Sequence, residues 1–145
     1  MTLPTPESPE SPESPDVRAS RRARALLCFD AGAGGLVGLG VLMLQDWLAA
    51  LYGFSPGLVR VLGTANLVYA AYSGTLALRA SVGTRPSPGS LVALVVGNAL
   101  WALVCVGIAA QTWEHATALG SGVVAFEALF VGTLALVESR ILLRR

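Results

Sequence analysis

The sequence predicts an all-α fold: a four-helix transmembrane bundle with a disordered N-terminal tail rich in Pro, Glu and Ser. Three observations carry that prediction. Apolar residues make up 54% of the 145-residue chain and charged residues only 13%, with a mean hydropathy of +0.64. Soluble domains are about 25% charged. A chain with half that charge would hold too much apolar surface in water, so a soluble globular enzyme is excluded. The apolar residues also gather into four runs, each near the roughly 20 residues needed to cross a hydrocarbon core about 30 Å thick. Finally, if all four runs span, nine of the ten arginines fall on one side: Arg18, Arg21, Arg22, Arg24, Arg79, Arg85, Arg140, Arg144 and Arg145, against Arg60.

Two regions are expected, a tail with its basic flank at 1–24 and a transmembrane domain at 25–143. Within residues 1–17, Glu-Ser-Pro recurs from Glu7, Glu10 and Glu13, and five of the eight prolines lie here. Proline at every third position favours extended polyproline II over helix. The segment reads as a disordered acidic spacer, with a proline-directed phosphorylation or docking segment as the alternative. Four arginines then crowd residues 18–24. A cleaved signal peptide fits poorly, because the preceding tail is long, Asp30 interrupts the apolar run and the run continues to Leu44.

The first run covers Ala25–Leu44. Its Ala31/Gly35 and Gly34/Gly38 pairs let helices approach closely in lipid, either within the bundle or against another copy. In the following connection, Trp47 and Tyr52 suit a membrane interface, and Asp46–Leu51 is expected to form a short interfacial helix. The second run, Pro56–Leu78, opens with Ser55 as N-cap and Pro56 at the first helical position. The third is Ser90–Gln111 and the fourth Gly120–Ile141. A barrel strand would alternate polar and apolar residues over about ten positions, whereas Leu91–Ala110 contains one strongly polar residue, Asn98. Each run must therefore be a helix, which satisfies its own backbone in lipid. The arginine asymmetry puts both ends in the cytoplasm of a cell with an inner membrane, and the loops at 45–56 and 111–120 outside.

Polar residues inside the runs are the most informative feature, since each ionisable group costs about 2.5–3.5 kcal/mol at mid-bilayer and usually faces the bundle interior. At about 1.5 Å per residue, Asp30, Tyr69, Tyr72 and Asn98 reach similar depths in the inner half. Asn66, Tyr69 and Ser73 share one helix face. Arg60 and Glu127 fall in the outer half, at depths that differ by only about 4 Å, and are expected to pair. Glu138, beside Arg140 and near Arg79, reads as an interfacial ion-pair partner. The candidate intramembrane polar site is therefore Asp30, Arg60, Asn66, Tyr69, Asn98 and Glu127. It serves either as interhelical hydrogen bonds worth about 0.6 kcal/mol each or as a path for a proton, ion or small polar ligand.

No catalytic, cofactor-binding or metal-binding residues are assigned. His115 is a single loop histidine and cannot make a metal site alone. Cys28 and Cys105 lie in apolar runs and read as small hydrophobes. A net charge of +1 gives no field to attract nucleic acid.

The stretch from Tyr52 through Gly53-Phe54-Ser55-Pro56-Gly57 to Ser73, with Gly97-Asn98-Ala99-Leu100-Trp101 and Glu127-Ala128-Leu129-Phe130-Val131-Gly132, resembles a group of small uncharacterised bacterial four-helix membrane proteins over about residues 25–143. In size and layout the chain is also similar, more distantly, to DoxX-like membrane proteins. Neither resemblance implies particular functional residues. The leading expectation is an accessory or structural subunit of a membrane assembly, in contact with lipid and with a membrane-protein partner or a second copy. The alternatives are a proton- or ion-coupled small-solute transporter using intramembrane carboxylates, and a redox-linked membrane enzyme.

Overall fold

A computed structural model describes residues 15–84 and 86–142. The elements are α1 (Pro15–Met43), α2 (Gln45–Tyr52), α3 (Pro56–Ser81), α4 (Pro88–Thr112) and α5 (Ala118–Leu142). Among the described residues there is no strand. The protein is an all-α bundle in which four helices, with spans at Ser20–Met43, Pro56–Ser81, Pro88–Thr112 and Ala118–Leu142, are long and apolar enough to cross a membrane. Most of the tail lies at 1–14, outside the described residues. The helix begins earlier than the apolar run, at Pro15, so residues 15–17, expected to belong to the disordered tail, are helical together with the basic flank. Proline is tolerated there because the first turn leaves backbone N–H groups unpaired in any case.

The spanning helices α3 and α4 start alike. The Ser55 hydroxyl accepts from the Leu58 N–H and the Ser87 hydroxyl from the Ser90 N–H, both at 3.2 Å, and each serine is followed by a proline. Such a cap satisfies one of the four orphan donors of a helix start. Between α1 and α3, the expected short helix is present as α2. It stops at Gly53, whose φ of 69° is left-handed and therefore favours glycine.

The connection before α5 is fastened to α2. Thr117 donates through its backbone N–H to the Tyr52 carbonyl and through its hydroxyl to the Leu51 carbonyl, both at 2.9 Å. The same hydroxyl accepts from Gly120 N–H at 3.1 Å. The two connections at this end are thus joined by hydrogen bonds.

The spanning helices pack as two pairs, α1 on α3 and α4 on α5, with few contacts between the pairs. Small residues set the first seam. A Cβ on Gly38 would lie 2.9 Å from the Gly63 carbonyl oxygen and from the Leu67 nitrogen, and one on Gly34 would sit 3.4 Å from the Ala70 Cβ. Close backbone approach gives dispersion contact where lipid offers no hydrophobic drive. The paired small residues of α1 therefore act within the chain, whereas Gly32 and Gly40 face open space.

Two apolar clusters close the ends of the bundle. Near α2, Leu48, Phe54, Val59, Leu62, Cys105 and Val124 pack together. At the arginine-rich end, Leu27, Leu76, Leu94 and Leu142 do the same. Cys105 is thus a core residue, while Cys28 is exposed on the bundle's outer face. Polar side chains collect in the layer between these clusters.

Candidate functional site

Helical spacing builds the polar layer. On α3, Asn66, Tyr69 and Ser73 follow at three and four residues, and on α4 Asn98 and Trp101 follow at three, so each set shares a face. On α5, Glu127 and Glu138 are eleven residues apart, about three turns, and also share a face. α1 contributes Asp30.

Nearer α2, Glu127 Oε1 accepts from Asn66 Nδ2 and from Trp101 Nε1, both at 2.9 Å. Asn66 Nδ2 also donates to the Leu62 carbonyl at 3.0 Å. Glu127 is half-buried, and no donor among the described residues reaches its Oε2.

Nearer the arginine-rich end, Asn98 Nδ2 donates to Glu138 Oε2 at 2.8 Å and to the Tyr69 hydroxyl. Burial here is almost complete: Asp30 is 3% exposed, Asn98 2%, and Ser73 and Glu138 0%. Asp30 Oδ2 and Glu138 Oε1 are buried without a hydrogen-bond partner. The hydroxyls of Ser73 and Tyr69 bear on the Asp30 carboxyl group, and Asp30 and Glu138 lie within electrostatic reach of each other.

A cavity of about 300 Å³ lies between the two helix pairs. Its polar lining is Asp30, Asn66, Tyr69, Asn98, Trp101 and Glu127, and the remainder is apolar. Among the described residues, the lining includes two carboxylates and no arginine, lysine or histidine. Three lining residues are exposed, Val37 of α1 and Phe126 and Phe130 of α5. The mouth therefore opens sideways between α1 and α5, toward the region a bilayer would occupy. The end clusters leave the cavity in the middle of the bundle.

Five of the six residues expected from sequence, Asp30, Asn66, Tyr69, Asn98 and Glu127, line this one cavity. Arg60 does not. It is exposed, and its Nε donates to Gln45 Oε1 at 3.2 Å. The expected Arg60–Glu127 pair is therefore not formed. The reason is azimuth: Arg60 precedes Asn66 by six residues, about one and two-thirds turns, so the two project from different sides of α3, and Asn66 takes the side that meets Glu127. Glu138 is corrected too. It is a fully buried member of the polar layer and not an interfacial partner of Arg140 or Arg79. Tyr72 is outside the cluster; it is 38% exposed and its hydroxyl donates to the Ser90 carbonyl at 3.0 Å.

Trp101 belongs to the layer without having been given a role from sequence, and Glu138 belongs to it in place of the interfacial role expected. Their spacing held the signal, three residues from Asn98 and eleven from Glu127. Among the described residues, no three His, Cys, Asp or Glu side chains converge as metal ligands. Comparison of the chain with known protein families, curated proteins and solved structures finds no match.

Proposed function

We propose that this protein is a proton-coupled carrier of a small, lipid-soluble solute, working in a bacterial inner membrane with both ends in the cytoplasm. The observation that carries this reading is a cavity that holds Asp30 and Glu127 and opens laterally between α1 and α5. A purely structural bundle gains nothing from two carboxylates beside an open space, because polar groups in lipid are costly unless they are used or satisfied. The cavity therefore favours the carrier over the accessory-subunit reading. A carboxyl group that takes either a proton or a solute, but not both, supplies the coupling. The two apolar end clusters suit a carrier better than a channel, since one must part before a solute can pass from the cavity to the water at either end.

The orientation rests on the arginines. Those of the α1 flank, Arg79 and Arg140 lie at the helix ends remote from α2, and the positive-inside rule puts that end in the cytoplasm. A cysteine at Ala118 should react with an impermeant thiol reagent added from outside, and one at Ser87 should not; the reverse labelling reverses the topology.

The carrier reading is tested in lipid nanodiscs with Trp47 and Trp113, both exposed, changed to phenylalanine so that Trp101 is the sole indole. At least one of a set of small aromatic probes, cationic, neutral and anionic, should change its fluorescence saturably. A linear response, as from simple partition into lipid, would remove the cavity as a binding site.

A further inference from the structure

We propose that the solute is a small lipophilic organic cation, an amine or quaternary ammonium on an aromatic body, with its charge against the free Oε2 of Glu127. The proposal rests on the carrier reading and adds the class of molecule carried.

Charge comes first. Among the described residues, the cavity lining has two carboxylates and no cationic side chain, so the charges an anion would meet there are of its own sign. An ionised carboxylate away from water needs a counterion close by. Arg60, the cation expected to fill that role, is held by Gln45 on the outside of the bundle. The counterion position at Glu127 is therefore left for a ligand.

Geometry comes second. The donors from Asn66 and Trp101 converge on Oε1, which fixes the carboxylate and leaves Oε2 to accept from a bound molecule. The second carboxylate lining the cavity, Asp30, is almost fully buried with Oδ2 unpartnered. That acceptor is enclosed like Glu138 Oε1, and the Ser73 and Tyr69 hydroxyls bear on the same carboxyl group, so the open contact is the one at Glu127.

The walls decide the rest of the molecule. Tyr69, Trp101, Phe126 and Phe130 all line the cavity, and aromatic faces attract cations, most strongly where water is excluded. Phe126 and Phe130 stack at 6.2 Å between ring centroids beside the mouth, an apolar entrance for a ring arriving from lipid. A metal ion or a polyamine has no aromatic ring to stack in that entrance. A cavity of about 300 Å³ lies at the small end of the range for organic ligands, roughly 300–1,000 Å³.

Three probes of similar size separate the possibilities: benzyltrimethylammonium, its neutral isostere neopentylbenzene, and benzenesulfonate. They are titrated against Trp101 fluorescence in nanodiscs, with concentrations corrected for partition. The cation should bind about tenfold more tightly than the neutral isostere, as expected for one charge–charge contact with aromatic support. The sulfonate should not saturate. Glu127→Gln keeps an oxygen acceptor for Asn66 and Trp101, so it should bring the cation's advantage close to one and leave neopentylbenzene binding unchanged. Equal binding of cation and neutral isostere, or saturable sulfonate binding, would overturn the cation assignment while leaving the carrier reading intact. A cation advantage that survives Glu127→Gln would overturn the assigned contact. Absence of saturable binding by any probe would sink the carrier reading itself. If Glu127→Gln fails to fold, the three-probe comparison on the otherwise unchanged protein still decides the charge class.

Discussion

Glu127 and Glu138 stand on the same face of α5, yet their surroundings differ sharply. Glu127 is half-buried beside a cavity, with one oxygen held by two donors and the other open. Glu138 is fully buried, with one oxygen held by Asn98 and the other enclosed without a partner. An open acceptor on a fixed carboxylate can receive a ligand. An enclosed one makes its few hydrogen bonds structurally expensive to lose, because a buried group cannot turn to water. The same residue type therefore does two jobs on one helix, and the difference lies in what α3 and α4 place opposite it.

Substitutions can break or sharpen this contrast. The largest effect is expected from Asn98→Leu, which removes the donor shared by Glu138 and Tyr69. Leaving buried acceptors unpaired costs about 1–3 kcal/mol each, and intramembrane bonds sit at the low end, so a loss of about 2 kcal/mol is expected. Unfolding in mixed detergent and SDS measures it. A loss below about 0.5 kcal/mol would erase the distinction between the two carboxylates. Asn66→Leu should cost less, about 0.6 kcal/mol, the average for an intramembrane hydrogen bond, because Glu127 keeps Trp101 and its open side. A cost equal to that of Asn98→Leu would make Glu127 as structural as Glu138. The smallest effect is expected from Arg60→Ala, within about 0.5 kcal/mol of zero as for an exposed site. Combined with Glu127→Ala it should be additive within about 0.5 kcal/mol. A coupling larger than that would restore the ion pair that the geometry denies.

The helices were legible because span length and backbone satisfaction leave lipid-embedded chains little choice. The caps at Ser55 and the α2 segment were legible as local chemistry. Depth was legible as well, since a fixed rise per residue places Asp30, Tyr69 and Asn98 at one level. Direction around each helix was not, because it depends on which helices become neighbours. Arg60 and Glu127 match in depth and miss in azimuth. Glu138 was read from its neighbour Arg140, when its relation to Glu127 three turns away was the informative one. The sideways mouth, set by how the two helix pairs meet, had no trace in the sequence.

The polar layer also has a consequence for the order of events during synthesis. Helices α1 to α4 enter the membrane before α5, bringing the donors Asn66, Asn98 and Trp101. The carboxylates that receive them both arrive with α5. Until then, Trp101 Nε1 lacks its acceptor and Asn66 and Asn98 have only Leu62 and Tyr69, within α3 and α4, a condition that keeps the first four helices loosely associated. Delivery of α5 supplies the carboxylate acceptors of all three donors in one step and closes the backbone fastening between Thr117 and α2. The fifth helix thus works as the lock on a structure whose other parts are already in place, and a chain stopped before it would present the cell with a recognisably unfinished protein.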